Sequence, residues 1–222
     1  MIILHHLNNS RSQRIIWLLE ELGVEYEIKR YERNKITMLA PESLKSVHAL
    51  GKSPVITDGD LVIAESGAII DYLVSKYDSG KLKPKKEADA LRFNYWIHYA
   101  EGSAMPPLLL SLIFSKIETS PMPFFIKPIA KGISAKVKGA FINPQLKLHT
   151  DYMEGELTKH EWFAGDHFSA ADIQMSFPLE AAKARGFITS KHPKLWGFLE
   201  KIHAMESYKK ALEIGGDYDL LK

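Results

Sequence analysis

The chain is 222 residues long and 45% apolar, with 29 Lys and Arg against 27 Asp and Glu, nine His and no Cys. That length suits one large or two small domains with a full hydrophobic core, and the net charge of +2 gives no overall electrostatic footprint for nucleic acid or an anionic membrane. The absence of cysteine excludes disulfides, cysteine nucleophiles and thiolate-bound metal, so any thiol chemistry uses a substrate's sulfur.

Only Met1-Ile2-Ile3-Leu4 precedes polar residues, and no apolar run approaches the length of a bilayer span; a cytoplasmic protein without a signal peptide is expected. Ile2-Ile3-Leu4 predicts a short strand, followed by a polar loop from His5 to Ser12. Ile15, Leu18, Leu19 and Leu22 then recur at helical spacing, with Gly23 just past the end. Val24, Tyr26 and Ile28 alternate with Glu25, Glu27 and Lys29, as in a strand buried on one face. Strand, helix and strand in about thirty residues predict a parallel crossover. After a short helical stretch near Pro41 to Val47, Val55-Ile56-Thr57 and Leu61-Val62-Ile63 form a hairpin, with Asp58-Gly59 supplying the positive φ of its turn. Ser66 is expected to cap a helix whose Ile69, Ile70, Leu73, Val74 and Tyr77 share one face. The result is β-α-β-α-β-β-α, a mixed four-stranded sheet with helices packed on it.

Residues 78–86 are polar, with Gly80 and Pro84 and no apolar period, and the domain boundary is expected there, between units 1–78 and 87–222. From Glu87 onward strand signals vanish. Ala88, Leu91, Tyr95 and His98 or Tyr99 open a helix that Pro106-Pro107 should kink or end. A proline-rich loop spans Ser120 to Pro128, and a helix follows from about Lys131 toward Thr158, interrupted at Asn143-Pro144. Ser169 at the N-cap and Asp172 three residues on form an acidic capping box, flanked by Phe168 and Ile173 at the hydrophobic-staple positions. A last helix opens at His192-Pro193, with Leu195, Trp196, Leu199 and Ile202 on its core face, and Gly215-Gly216 ends the regular structure.

The histidines show no metal-ligand spacing, and no metal site is expected. Lys127, Lys131, Lys136, Lys138 and Lys147 read as a solvated helix face, and Tyr95, Trp96 and Tyr99 as core or interface. Two stretches point to a ligand. In Gly51-Lys52-Ser53-Pro54-Val55, Pro54 opens the strand and would turn the backbone of Val55 toward solvent; Glu65-Ser66 then brings a carboxylate beside a helix N-terminus. A ligand charged at both ends, like an amino acid or a peptide, suits that pair. The loop Asn8-Asn9-Ser10-Arg11-Ser12 lies between the first strand and first helix, where α/β sheets present ligands.

Laid out this way, the whole chain resembles the cytosolic glutathione transferase superfamily, and most closely its bacterial and fungal members of the yeast type. The resemblance rests on Ser10-Arg11, Gly51 to Val55, Glu65-Ser66 and Ser169 to Asp172. It implies a thioredoxin-like first domain and an all-helical second one, with glutathione as co-substrate, no cofactor, and a homodimer that pairs the first domain of one subunit with the second of the other. It further implies that Lys52 takes the glycyl carboxylate, Ser53, Pro54 and Val55 the cysteinyl backbone, and Glu65 and Ser66 the γ-glutamyl end. Ser10 and Arg11, or alternatively His6 or backbone N–H groups, would activate the thiol for attack on a hydrophobic electrophile or for reduction of a hydroperoxide, and His6, Tyr99 and Glu101 would face the acceptor. The same fold also serves glutathione-dependent dehalogenases and isomerases and non-catalytic binding modules, the alternative readings. Cysteine-dependent and tyrosine-dependent activation are both departed from, since the chain has no cysteine and carries His6 where the tyrosine would stand.

Overall fold

The computed structural model describes residues 1–221. Its sheet has the order β2-β1-β3-β4. β1 (Ile2–Leu7) runs parallel to β2 (Tyr26–Tyr31) and antiparallel to β3 (Val55–Asp58), which forms a hairpin with β4 (Leu61–Ala64). Leu4 is in register with Ile28 on one side and Ile56 on the other. Against the sheet pack α1 (Ser12–Leu22) and α2 (Ser66–Tyr77), whose Ile15, Leu18, Leu19, Ile69, Ile70 and Leu73 are fully buried. Each such side chain contributes about 1.5–3 kcal/mol of apolar burial. Gly23 closes α1 at φ 63, donating its N–H to the Glu20 carbonyl.

Three local expectations shift. The helical stretch near Pro41 shrinks to a 3₁₀ turn, Glu42–Leu44, in which only Leu44 is buried. Asp58 is the last residue of β3 rather than part of the turn, and Gly59 alone takes positive φ. Freed from the turn, the Asp58 carboxylate accepts from Lys76 Nζ at 2.7 Å, Tyr77 OH at 2.5 Å and Tyr72 OH at 2.7 Å, stapling the hairpin to α2. These donors, Lys76 first, hold its carboxyl well below the usual range. Ser66 does not cap α2: it is the first helical residue, and the cap position is Glu65 at φ 70, with no side-chain cap bond.

The remainder is helical: α3 (Glu87–Tyr99), α4 (Met105–Thr119), α5 (Lys127–Val137), α6 (Asn143–Lys159), α7 (Ala170–Ala184), α8 (Pro193–His203) and α9 (Glu206–Gly215). Pro106-Pro107 and Pro144 do not end their helices. A five-residue π-helical turn precedes each, Ala100–Ala104 and Lys138–Ile142, and absorbs the missing backbone donors by shifting the hydrogen-bond register. α7 runs through the middle of this half behind the predicted capping box. Asp172 accepts from the Ser169 N–H at 2.8 Å, and Ser169 Oγ accepts from the Ala171 N–H. Trp96 and Tyr99 are core, as expected, and pack at steep ring angles against each other, Trp96 also against Phe163 and Tyr99 against Tyr152, whereas Tyr95 stays half exposed. The helix at His192-Pro193 is not the last, since α9 follows. Its Trp196 is 39% exposed and lies under Lys183 instead of in the core.

Candidate functional site

The loop between β1 and α1 places a chain of hydroxyls at the edge of the sheet. Ser10 Oγ lies 2.7 Å from Ser12 Oγ, which lies 2.8 Å from His6 Nδ1, while His6 Nε2 sits 3.0 Å from the Gly215 carbonyl. A carbonyl only accepts, so Nε2 carries the proton and Nδ1 accepts from Ser12. Ser12 has then spent its proton, and Ser10 donates to Ser12 while accepting the Ser12 backbone N–H at 3.2 Å. His6 is only 3% exposed. Burial drives its pKa below 6.5; the Gly215 bond opposes that shift and Arg30 adds to it. Expected on the acceptor side, His6 is instead a buried, neutral group with both ring nitrogens engaged. A Cβ on Gly215 would meet Gln13 Oε1 at 1.9 Å, so a larger residue there would have to displace the Gln13 side chain, whose amide donates to the Ala211 carbonyl.

β3 does not offer the edge expected at Val55. Val55 is fully buried and paired with His5 on β1 and Ala64 on β4, an interior position. The open backbone lies just before it. Ser53-Pro54 is cis, and the Ser53 side chain replaces strand pairing, donating to the His5 carbonyl at 2.9 Å and accepting the Leu7 N–H at 3.3 Å. Among the described residues the Ser53 N–H and C=O have no hydrogen-bond partner. Ser53 Oγ also comes within 3.5 Å of Ser10 Oγ, so the two predicted stretches meet. Lys52 and Glu65 are both exposed, and neither forms an ion pair among the described residues. Beside Glu65, α2 begins with its first N–H groups uncapped by any side chain. Positive φ at a non-glycine residue such as Glu65 costs of order 1–3 kcal/mol and clusters where function requires it.

Arg11, expected at the thiol, and Glu101, expected at the acceptor site, bind each other. Arg11 Nε donates to both Glu101 oxygens at 2.9 and 3.0 Å, and Arg14, buried behind it, donates to Glu101 as well. Burial raises the Glu101 carboxyl, but the two guanidinium groups outweigh it and hold the group below its ordinary value. Two arginines sharing one carboxylate leave the cluster with a net positive charge beside Ser10. Phe177 lies under both, 5.1 Å from Arg11 and 5.6 Å from Arg14. Tyr99 is turned away from this cluster, its OH 2.6 Å from His149 Nδ1, and burial raises its pKa.

Residues 1–75 match the glutathione S-transferase N-terminal domain family and residues 141–206 the C-terminal domain family. Across 98% of both sequences the chain is 36% identical to glutathione S-transferase 1 of Saccharomyces cerevisiae. The chain belongs to the glutathione S-transferase family. It is also 39% identical to glutathione S-transferase 3 of Schizosaccharomyces pombe, over 86% of this chain and 78% of that protein. The crystal structure of a glutathione S-transferase from Actinobacillus pleuropneumoniae superposes with a TM-score of 0.78 at 33% identity, covering all of this chain and 96% of that one.

In this glutathione S-transferase family member, sequence reasoning missed Arg14 and Gln174. Pro178 lies inside α7 and has no N–H for the Gln174 carbonyl four residues back; Arg14 takes that carbonyl at 2.7 Å. Gln174 Nε2 in turn donates to the Ile97 carbonyl at 3.2 Å. A signal was available: Arg11 and Arg14 stand three apart at the start of a helix, on one side of it, and a proline inside a helix leaves the carbonyl four residues back in need of a distant donor.

Proposed function

We propose that the protein conjugates glutathione to hydrophobic electrophiles, with the tripeptide lying along Lys52, Ser53 and Pro54 toward Glu65 and Ser66. The observation that carries this reading is the pair of opposite charges, Lys52 and Glu65, which have no ion-pair partner among the described residues and flank an open Ser53 backbone and an uncapped helix start. A zwitterionic γ-glutamyl end is matched by Glu65 for its ammonium and by the Ser66 and Gly67 N–H groups for its carboxylate. Lys52 takes the carboxylate at the other end, and the Ser53 backbone pairs with the cysteinyl residue between them. The sulfur then points toward Ser10.

Free thiol near pKa 8.5 is only a few per cent ionised at pH 7, and lowering it by about two units requires roughly 2.7 kcal/mol of preference for the thiolate. Ser10 supplies part of this by turning its proton from Ser12 to the sulfur. A charge-assisted hydrogen bond is about twice as strong as the neutral one given up. The remainder comes from the start of α1 and the net positive Arg11, Arg14 and Glu101 cluster. The thiol proton leaves to solvent, the thiolate's electron pair forms the carbon–sulfur bond, and on a halide substrate the carbon–halogen bond breaks and halide departs with its electron pair. Residues 1–78 bind glutathione and residues 87–222 shape the acceptor side, in a cytoplasmic homodimer that uses no cofactor. Calorimetry of glutathione binding together with a conjugation assay on a chloronitrobenzene tests the reading; no heat of binding and no conjugate refutes it.

A further inference from the structure

α5 leaves two large apolar residues uncovered and turns a polar one inward. Ser134, fully buried, donates to Glu118 Oε1 at 2.5 Å with the Phe114 carbonyl 3.2 Å away, and just beyond the helix Lys138 reaches Glu118 at 2.8 Å and Ser115 Oγ at 3.0 Å. Ile129 is 62% and Ile133 59% exposed, and on the preceding loop Phe124 is 86% and Phe125 64% exposed. An ordinary surface helix buries its apolar stripe and shows its polar one. A contiguous apolar surface left outward marks a site of interaction.

The charge beside this surface says what it meets. Between Glu118 and Asp151 the chain carries five lysines and no acidic residue, although the whole protein is nearly neutral. Glu118 is itself consumed by Lys138, while Lys127, Lys131 and Lys136 are exposed and form no ion pair among the described residues. A second copy seated face to face would set these lysines against their own kind. We propose that the Phe124-Phe125 loop and the outer face of α5 seat in the surface of an anionic phospholipid bilayer. The two rings and Ile129 and Ile133 enter the boundary between headgroups and acyl chains, and the lysines meet lipid phosphates. No helix of the described residues is long and apolar enough to cross a membrane, so this is attachment at the surface. The loop's prolines, Pro121 and Pro123, present no N–H groups that insertion would strand.

Co-sedimentation with phosphatidylcholine vesicles, with and without phosphatidylserine, tests the proposal. The wild-type protein pellets with the phosphatidylserine vesicles and less with the neutral ones, and added salt releases it. The double variant F124S/F125S, altered only at exposed positions, loses about tenfold in vesicle binding while its circular dichroism is unchanged. The triple variant K127Q/K131Q/K136Q binds both vesicle types equally weakly. Wild-type protein that stays in the supernatant with phosphatidylserine vesicles overturns the proposal, as does undiminished pelleting of F124S/F125S. So does a change in the light-scattering mass of F124S/F125S, which makes the surface a contact between copies.

Discussion

Glu65 is the residue at which backbone and charge bear most directly on the proposed glutathione site. It holds a positive φ that costs energy, and its carboxylate has no ion-pair partner among the described residues. Glu65→Ala is expected to weaken glutathione binding by about 2 kcal/mol, since a ligand ammonium loses its counter-charge, while Lys127→Ala leaves it unchanged. Calorimetry that finds the two variants equal removes Glu65 from the site. At Ser10 the hydrogen-bond chain ending on the Gly215 carbonyl commits the hydroxyl proton inward, so donation to sulfur requires rotation. Ser10→Ala is expected to raise the pKa of bound glutathione by about one unit, read from the pH dependence of thiolate absorbance. An unmoved pKa transfers activation to backbone N–H groups. Ser10-Arg11 and Lys52 through Ser66 could be proposed as ligand stretches from the sequence because loop and turn chemistry is local. The burial of His6 was not legible, because its partner Gly215 is 209 positions away.

Among elements, the start of α7 carries a pH dependence. Asp172 is fully buried and accepts the Phe163 N–H at 2.9 Å in addition to the Ser169 N–H and hydroxyl. Asp172→Ala strands these donors in the interior and is expected to cost about 3 kcal/mol or more, well above an exposed cap. Burial pushes the Asp172 carboxyl up to about 7, against the pull of those hydrogen bonds. An unfolded aspartate titrates near 3.9, so between these values the native state holds a proton that the unfolded chain has lost. Asp172 thus contributes stability that is complete below about pH 4 and lost as pH rises to about 7. Urea unfolding at pH 5 and pH 8 should show this loss in the wild type and not in Asp172→Asn. Asp58 has the opposite sign. Its depressed carboxyl contributes above the ordinary aspartate range, and that contribution disappears as pH falls through and below it.

On the scale of the whole molecule, the sheet half and the helical half are joined through Arg14. Its guanidinium meets Glu101 and the carbonyl that Pro178 leaves open at Gln174. Glu101→Ala uncovers a buried guanidinium and is expected to cost about 3 kcal/mol, while Arg11→Ala, at a half-exposed position, costs under about 1 kcal/mol. Chemical denaturation of the two variants checks the order, and equal losses show that Arg14 does not depend on Glu101. The proposed homodimer gives a light-scattering mass twice that of the 25.1 kDa chain at micromolar concentration.

Apolar periodicity, the capping box at Ser169 and Asp172 and the hairpin across Gly59 were determined by the sequence itself. Each depends on residues a few positions apart, within reach of one turn of backbone. Three features were decided only in the tertiary structure. Which backbone stays open at Pro54 depends on β1 and β4 closing on Val55 from both sides, which leaves Ser53 as the exposed one. Whether Arg11 and Glu101 face a ligand or each other depends on the packing of α1 against the helical half. The outward face of α5 exists because Glu118 draws Ser134 and Lys138 inward. Partners distant in the chain are chosen by packing, and a local pattern of residue types carries no record of which of its faces that packing will cover.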